Sequence, residues 1–189
     1  MRFAFIAGPA LLILYGLIRL AGQSDGVYGP GADWQLAHLA GLLGMIAFIP
    51  VVLAMARMIR NRAGRALVGG ITLLGLAASM VQFAVDMVEA AMAADRADLK
   101  HLQHEFSALP GVEPLVYSVV PQLFFLGLIV LAVTLAATRR LPWWSPVLIV
   151  AGVVMVPFTL DLIPVAGALF LLALLPLARR PRPAAVPAT

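Results

Sequence analysis

The chain has 189 residues, 62% of them hydrophobic and only 12% charged, with a mean hydropathy of +1.00; no water-soluble domain of ordinary size is that apolar. It reads as an all-α integral membrane protein. Its lack of cysteine excludes disulfides, Cys-ligated zinc and thiol nucleophiles, and although a net charge of +4 would admit nucleic acid, sorting of the basic residues across a bilayer accounts for it instead, so no nucleic-acid partner is expected.

A hydrocarbon core needs roughly 20 helical residues to be crossed. Apolar runs near 3–20, 35–57, 66–92, 115–138, 142–159 and 161–178 therefore predict six spans within a single domain over 1–180. Arg2 ahead of the first run imitates a signal peptide, but Arg19 interrupts the region where cleavage would fall, and the run is counted as a span. The connection from Gly22 to Ala32 is Gly-rich with Pro30 and reads as an ordered turn or a lid. After the third span, Leu99, Leu102, Phe106 and Leu109 recur at helical spacing between charges, which predicts an amphipathic surface helix over 94–109. Trp143 and Trp144 beside Pro142 form an interfacial anchor. The tail PRPAAVPAT over 181–189 reads as disordered.

Ten of the thirteen basic residues lie at Arg2, in the turns holding Arg57, Arg60, Arg62 and Arg65 and then Arg139 and Arg140, and at Arg179, Arg180 and Arg182. By the positive-inside rule these regions are cytoplasmic, so both termini are inside. All the acids fall towards the other side: Asp25, Asp33, Asp86, Glu89, Asp95, Asp98, Glu105, Glu113 and Asp161. The expected setting is a multi-pass cell-membrane protein with acidic extracytoplasmic loops and membrane lipids as neighbours. The second and third spans end in AVDMVE and the fourth and fifth in TLDLIP, a parallel repeat in which Asp86 and Asp161 match.

Depth selects the candidate site. At 1.5 Å per residue, Asp86 lies roughly 30 Å from the level of Arg65, Asp161 roughly 30 Å from Arg140, and His38 just under 30 Å from Arg57. These three ionisable groups share the outer boundary of the hydrocarbon, where a carboxylate still reaches water and costs less than at a helix centre. Thr72, Ser79, Gln82, Asp86 and Glu89 recur along one face of the third span, and a polar stripe running inward meets protein or a cavity, not lipid. Gln122 on the fourth span, near Pro121, can face Gln82. The expected ligand-binding set is His38, Gln82, Asp86, Gln122, Trp34 and Asp161; the bland alternative is interhelical hydrogen bonding.

Metal is a secondary expectation. His38 with Asp86 could hold a divalent cation, and so could Asp98, His101 and Glu105 on the surface helix, although HxxH without the HExxH order is a weak pattern. Haem would want a second axial ligand, and no other span carries a histidine. Serine-nucleophile and P-loop motifs are missing from the sequence. The succession WQLAHLAGLLG, PVVLAMARMIRNRAGRALVGGITLLGLA and AVDMVEAAM resembles a loose group of small six-span bacterial membrane proteins of unassigned function. That resemblance spans most of the chain; it implies the six-helix fold and His38 and Asp86 as recurring positions, and carries no activity.

Three functions stay open. The first is an outward-facing intramembrane pocket for a small amphipathic ligand or a cation, covered by the surface helix. The second is a membrane-embedded enzyme acting on a lipid or isoprenoid, with Asp86 or Glu89 as general acid and His38 as its partner. The third is the substrate-capturing subunit of an importer, in which Ala4, Ala7 and Gly8 pack against a membrane protein partner; a homo-oligomer is the other assembly expected.

Overall fold

A backbone in lipid must satisfy its own hydrogen bonds, and an apolar chain with few sheet-forming runs does so as helices. The computed structural model describes residues 2–24, 26 and 28–179; the 181–189 tail, Asp25, Arg180 and Arg182 lie outside the described residues. Among the described residues seven α-helices follow in order: α1 (Ala4–Gly22), α2 (Ala32–Arg57), α3 (Arg62–Met92), α4 (Arg96–Ser107), α5 (Val119–Ala137), α6 (Trp144–Met155) and α7 (Ile163–Ala178). A π-helical turn, Glu113–Ser118, leads into α5, and a 3-10 turn, Leu160–Leu162, leads into α7. Counting those turns, five of the described segments are long and apolar enough to cross a membrane: Ala4–Gly22, Ala32–Arg57, Arg62–Met92, Glu113–Ala137 and Leu160–Ala178. The chain is an integral, multi-pass membrane protein.

The expected span over 142–159 is the exception. Its helix runs only from Trp144 to Met155, which at 1.5 Å per residue is about 18 Å, well short of the hydrocarbon thickness. Pro157 follows with no N–H to extend the hydrogen-bond ladder, and the chain turns there before Thr159 caps the 3-10 turn by accepting from the Asp161 amide at 3.2 Å. The π turn also departs from the regular helix expected from 115. A proline displaces the carbonyl four residues before it, and one wide turn ahead of Pro121 absorbs the misfit; the Val119 amide there donates to the Pro114 carbonyl.

Helices α1, α2, α3, α5, α6 and α7 neighbour one another in that order and α7 returns to α1, closing a ring, with α2 also touching α5 across it. Small residues set the spacing, as expected where lipid supplies no hydrophobic drive between helices. A Cβ added at Gly75 of α3 would sit on the Phe124 backbone amide, and one at Gly127 of α5 would meet Thr72. Gly8 of α1, expected to face a partner, packs on Phe48 of α2.

The packed core occupies the half of the ring nearer the arginine turns: Phe48, Val51, Val52 and Met55 of α2, Phe124, Leu128, Leu131 and Leu135 of α5, and Phe170 and Leu174 of α7 are fully buried. At that end Arg65 donates to the Ile59 carbonyl through Nε at 3.2 Å and Nη2 at 2.9 Å, and Arg140 Nη1 donates to the Met58 carbonyl at 2.7 Å. Arg65 and Arg140 thus satisfy carbonyls at the C-cap and just past the end of α2. Leu17, Leu43, Leu74, Val133 and Leu172 point outward, exposed as lipid-facing residues are.

This packing makes a paired prediction. Gly75→Ala should lower the midpoint of heat unfolding in detergent, at a cost of about 1–3 kcal/mol or more because the clash is with backbone. Gly70→Ala, whose added Cβ meets nothing within 4 Å, should leave the midpoint unchanged or slightly raised, measured by light scattering or size exclusion after heating.

Candidate functional site

The first turns of α2 carry the polar chemistry. Gly31, extended, precedes the helix, and Trp34 and His38, one turn apart, stack with ring centroids 4.3 Å apart. Tyr28 of the preceding loop lies tilted against Trp34 at 4.9 Å, and Tyr15 of α1 and Phe83 of α3 meet the His38 ring edge-on at 5.7 and 5.8 Å. Two side chains tie α2 to α3: Trp34 Nε1 donates to the Asp86 carbonyl at 3.3 Å and Gln35 Nε2 to the Met87 carbonyl at 2.9 Å.

His38 and Asp86 face each other inside this box. His38 Nδ1 lies 2.8 Å from the Trp34 carbonyl; because a carbonyl only accepts, Nδ1 carries a proton and donates it. Nε2 then points at Asp86 Oδ2, 3.8 Å away. That distance is too long for a direct hydrogen bond, so the two side chains are opposed across a short gap on the wall of the site. Both residues are buried. The Tyr117 hydroxyl, from the π turn, lies close enough to interact with the Asp86 and Glu89 carboxylates, but it satisfies hydrogen-bond geometry with neither.

A cavity of about 750 Å³ opens beside the pair. Trp34, His38, Gln82, Asp86 and Gln122 all line it, and so do Ser79, Tyr15, Tyr28 and Tyr117. Its deeper wall is apolar, with Leu12, Met45, Phe83, Phe125, Val153 and Phe170. Met45 follows His38 by seven residues, so the floor lies roughly 10 Å below the histidine. Across the mouth lies α4, which presents Arg96, Leu99, Lys100 and Gln103 to the cavity, one helical face at spacings of three and four.

Several expected groupings are redrawn. Asp161 stands outside the lining; its Oδ1 pairs with Arg19 Nη1 at 2.7 Å, which joins the turn before α7 to the end of α1. Glu89 is buried with neither carboxylate oxygen hydrogen-bonded, and it lines a separate groove with Val85, Val88, Met92, Leu102, Phe106 and Leu109. The amphipathic face expected of 94–109 is therefore split: Leu99 turns to the cavity, and Leu102, Phe106 and Leu109 turn to the groove along α3. Its helix starts later than Ala94 because Asp95 caps it, accepting from the Ala97 and Asp98 amides at 2.8 and 2.9 Å. Asp98 does not join His101 and Glu105 as a metal ligand. Its Oδ2 accepts from the Ala94 amide at 2.8 Å, while His101 and Glu105 sit 3.6 Å apart on the exposed side. Among the described residues no three His, Asp or Glu side chains converge as a metal set. Of the inward stripe, Thr72 and Ser79 spend their hydroxyls on the carbonyls of Val68 and Gly75 in their own helix.

Sequence reasoning passes over Arg19, Arg96, Lys100 and the three tyrosines. A usable signal exists for the cations. Removing the ten basic residues of the arginine end from the thirteen in the chain leaves Arg19, Arg96 and Lys100, and all three line the cavity. No family model, curated protein or solved structure matches the chain, so the site is argued from its own residues.

The mouth has one strong and one weak fastening. Trp34→Ala removes a half-buried ring stacked on His38 and its bond to α3, and should cost about 2 kcal/mol, below the roughly 3–5 kcal/mol of a fully buried aromatic. Asp161→Asn breaks a pair whose carboxylate side chain is 50% exposed, and should cost no more than about 1 kcal/mol. Heat unfolding of the two variants side by side in detergent checks the ranking.

Proposed function

We propose that the chain is a multi-pass membrane protein, five full spans and the shorter α6 in one ring, whose acidic end faces outward and whose cavity binds a small amphipathic molecule. One observation carries this reading. The same cavity of about 750 Å³ joins a mouth of polar and charged side chains to a floor of leucine, methionine and phenylalanine, and that volume falls within the roughly 300–1,000 Å³ of small-molecule sites. An all-polar solute would leave the floor unsolvated, and a pure hydrocarbon would strand His38, Asp86, Gln82 and Gln122 without partners. A molecule with one polar end suits both.

Trp34 supplies the readout, since the other tryptophans, Trp143 and Trp144, lie in the turn before and at the start of α6, away from the cavity lining. In a Trp143→Phe, Trp144→Phe background, a medium-chain alcohol brominated near its head should quench Trp34 saturably. Val153→Phe, which fills the floor, should weaken that quenching about tenfold or more, corresponding to 1.4 kcal/mol or more of overpacking. Quenching that rises linearly with probe and is identical in the variant would mean simple partition into detergent, and would sink the reading.

The facing of His38 and Asp86 favours one second reading, acid–base chemistry on a lipid or isoprenoid seated in the cavity. Glu89 has no part in it, since it opens on the other groove. Asp86→Asn preserves the shape of the pair and removes its exchangeable carboxyl proton. Under the binding reading the variant should keep quenching by the neutral alcohol within about threefold, less than 1 kcal/mol. Under the enzymatic reading it should also stop conversion of membrane lipids followed by mass spectrometry.

A further inference from the structure

The charge of the mouth goes beyond the shape of the cavity. Membrane topology accounts for ten basic residues, and the remaining three are gathered around one opening. Arg19 is neutralised by Asp161 at 2.7 Å. Arg96 and Lys100 form no ion pair among the described residues. They sit one turn apart on α4, on the face that also carries Leu99 to the cavity, with exposed side chains whose stems lie along the opening. The one acid in the lining, Asp86, is buried and turned towards His38.

The aromatic box does not compensate by offering a cation site. The Trp34 ring is stacked on His38 and in tilted contact with Tyr28, and Arg19 already lies 5.6 Å from the centre of the Tyr28 ring, so a cation is already placed at this aromatic cluster. What remains unengaged is a donor. The Tyr28 hydroxyl is buried without a hydrogen-bond partner and the residue lines the cavity, whereas the Tyr117 hydroxyl is turned to the Asp86 carboxylate. Burial pushes the Tyr28 phenol above its ordinary pKa range, so it keeps the proton it can donate. Unpaired cations and an unpartnered phenol donor above an apolar floor match a head group rich in acceptor oxygens and negatively charged.

We propose that the cavity takes a single-chain amphiphile with an anionic head, a carboxylate or a phosphate. Arg96 and Lys100 hold the head from α4, and the chain runs down past Phe83 towards Met45 and Phe170. The surface helix then serves as the selective element of the site, choosing the head group, while the ring of spans accepts the tail. This rests on the pocket reading above, and its test separates the two.

The test uses the full-length protein in a neutral detergent, in the same tryptophan background, with four probes of equal chain length brominated near the head: a fatty acid, a monoalkyl phosphate, a fatty alcohol and an alkyl trimethylammonium. The acid or the phosphate should bind at least about tenfold more tightly than the alcohol, the scale of a charge-assisted hydrogen bond, and the ammonium more weakly than the alcohol. Which anion binds more tightly tells a carboxylate ligand from a phosphate one. Arg96→Gln with Lys100→Gln should erase the anion preference, anion and alcohol then binding equally well in that variant, whereas Arg60→Gln, at the opposite end, should leave the preference intact. Raising salt should shrink the preference, because exposed charges are screened within about 10 Å at 0.1 M ionic strength. If anion and alcohol bind equally well and saturably, or the anion preference survives the double variant, the head-group assignment is wrong while the pocket stands. If the ammonium binds best, the site is for a cation. If no probe binds saturably, both readings fall.

Discussion

Close approach at glycine is the constraint on which the rest of this structure depends. Lipid tails are as apolar as the side chains they surround, so helices in a membrane are held by packing, and packing improves when backbones can come near. Five of the six contacts around the ring are made in this way: Gly8 on Phe48, Gly41 on Phe83, Gly75 and Gly127 between α3 and α5, Gly152 on Phe170, and Gly16 on Pro164. Helices drawn together at those points fill the arginine half with Phe48, Phe124 and Phe170. The sixth contact, between α5 and α6, has no such glycine among the described residues. It involves the shortest helix of the ring, and Val153 of that helix lines the cavity.

The histidine and aspartate derive their arrangement from the same economy of space. Gly41 lets Phe83 lie against α2, which brings α3 near enough for Trp34 and Gln35 to bond its backbone and for Asp86 to face His38. The imidazole is fixed in orientation because Nδ1 is committed to the Trp34 carbonyl. A water-exposed pair at the same distance would be worth little. Here both side chains are buried between aromatic rings, so their polarity is directed at the cavity they border.

How much of this is legible in the sequence follows from which quantities are local. Depth is local, since it needs only the rise per residue and the position of the arginine turns. For that reason residue numbers alone set His38, Gln82, Asp86 and Gln122 at one end of the bundle, and one cavity is lined by all four. Rotation is less so. On α4, Leu99 and Leu102 differ by only about 60° around the helix at 100° per residue, and periodicity merges them into one face. They separate because the helix straddles two hollows, one inside the ring and one along the outside of α3. Asp161 shows the same limit. The apparent repeat matches it with Asp86, but the short α6 and the 3-10 turn deliver it to Arg19 instead.

Proline explains the remaining departures and connects them to the site. Pro121 and Pro157 each lie where the sequence pattern reads as regular helix, and each ends or widens the helix locally. The wide turn before Pro121 carries Tyr117 against Asp86 and Glu89, and both Pro121 and Pro157 border the cavity. A backbone that leaves regular helix at membrane depth is tolerated where it lines a cavity or is buried in protein, because only there can freed carbonyls and amides find partners other than lipid. The two breaks meet at one opening: the π turn and the start of α5 bring Tyr117, Pro121 and Gln122 to the cavity wall, and the end of α6 brings Val156, Pro157 and Thr159 to it, so the departures from regular helix are concentrated where the bundle is hollow rather than where it is packed.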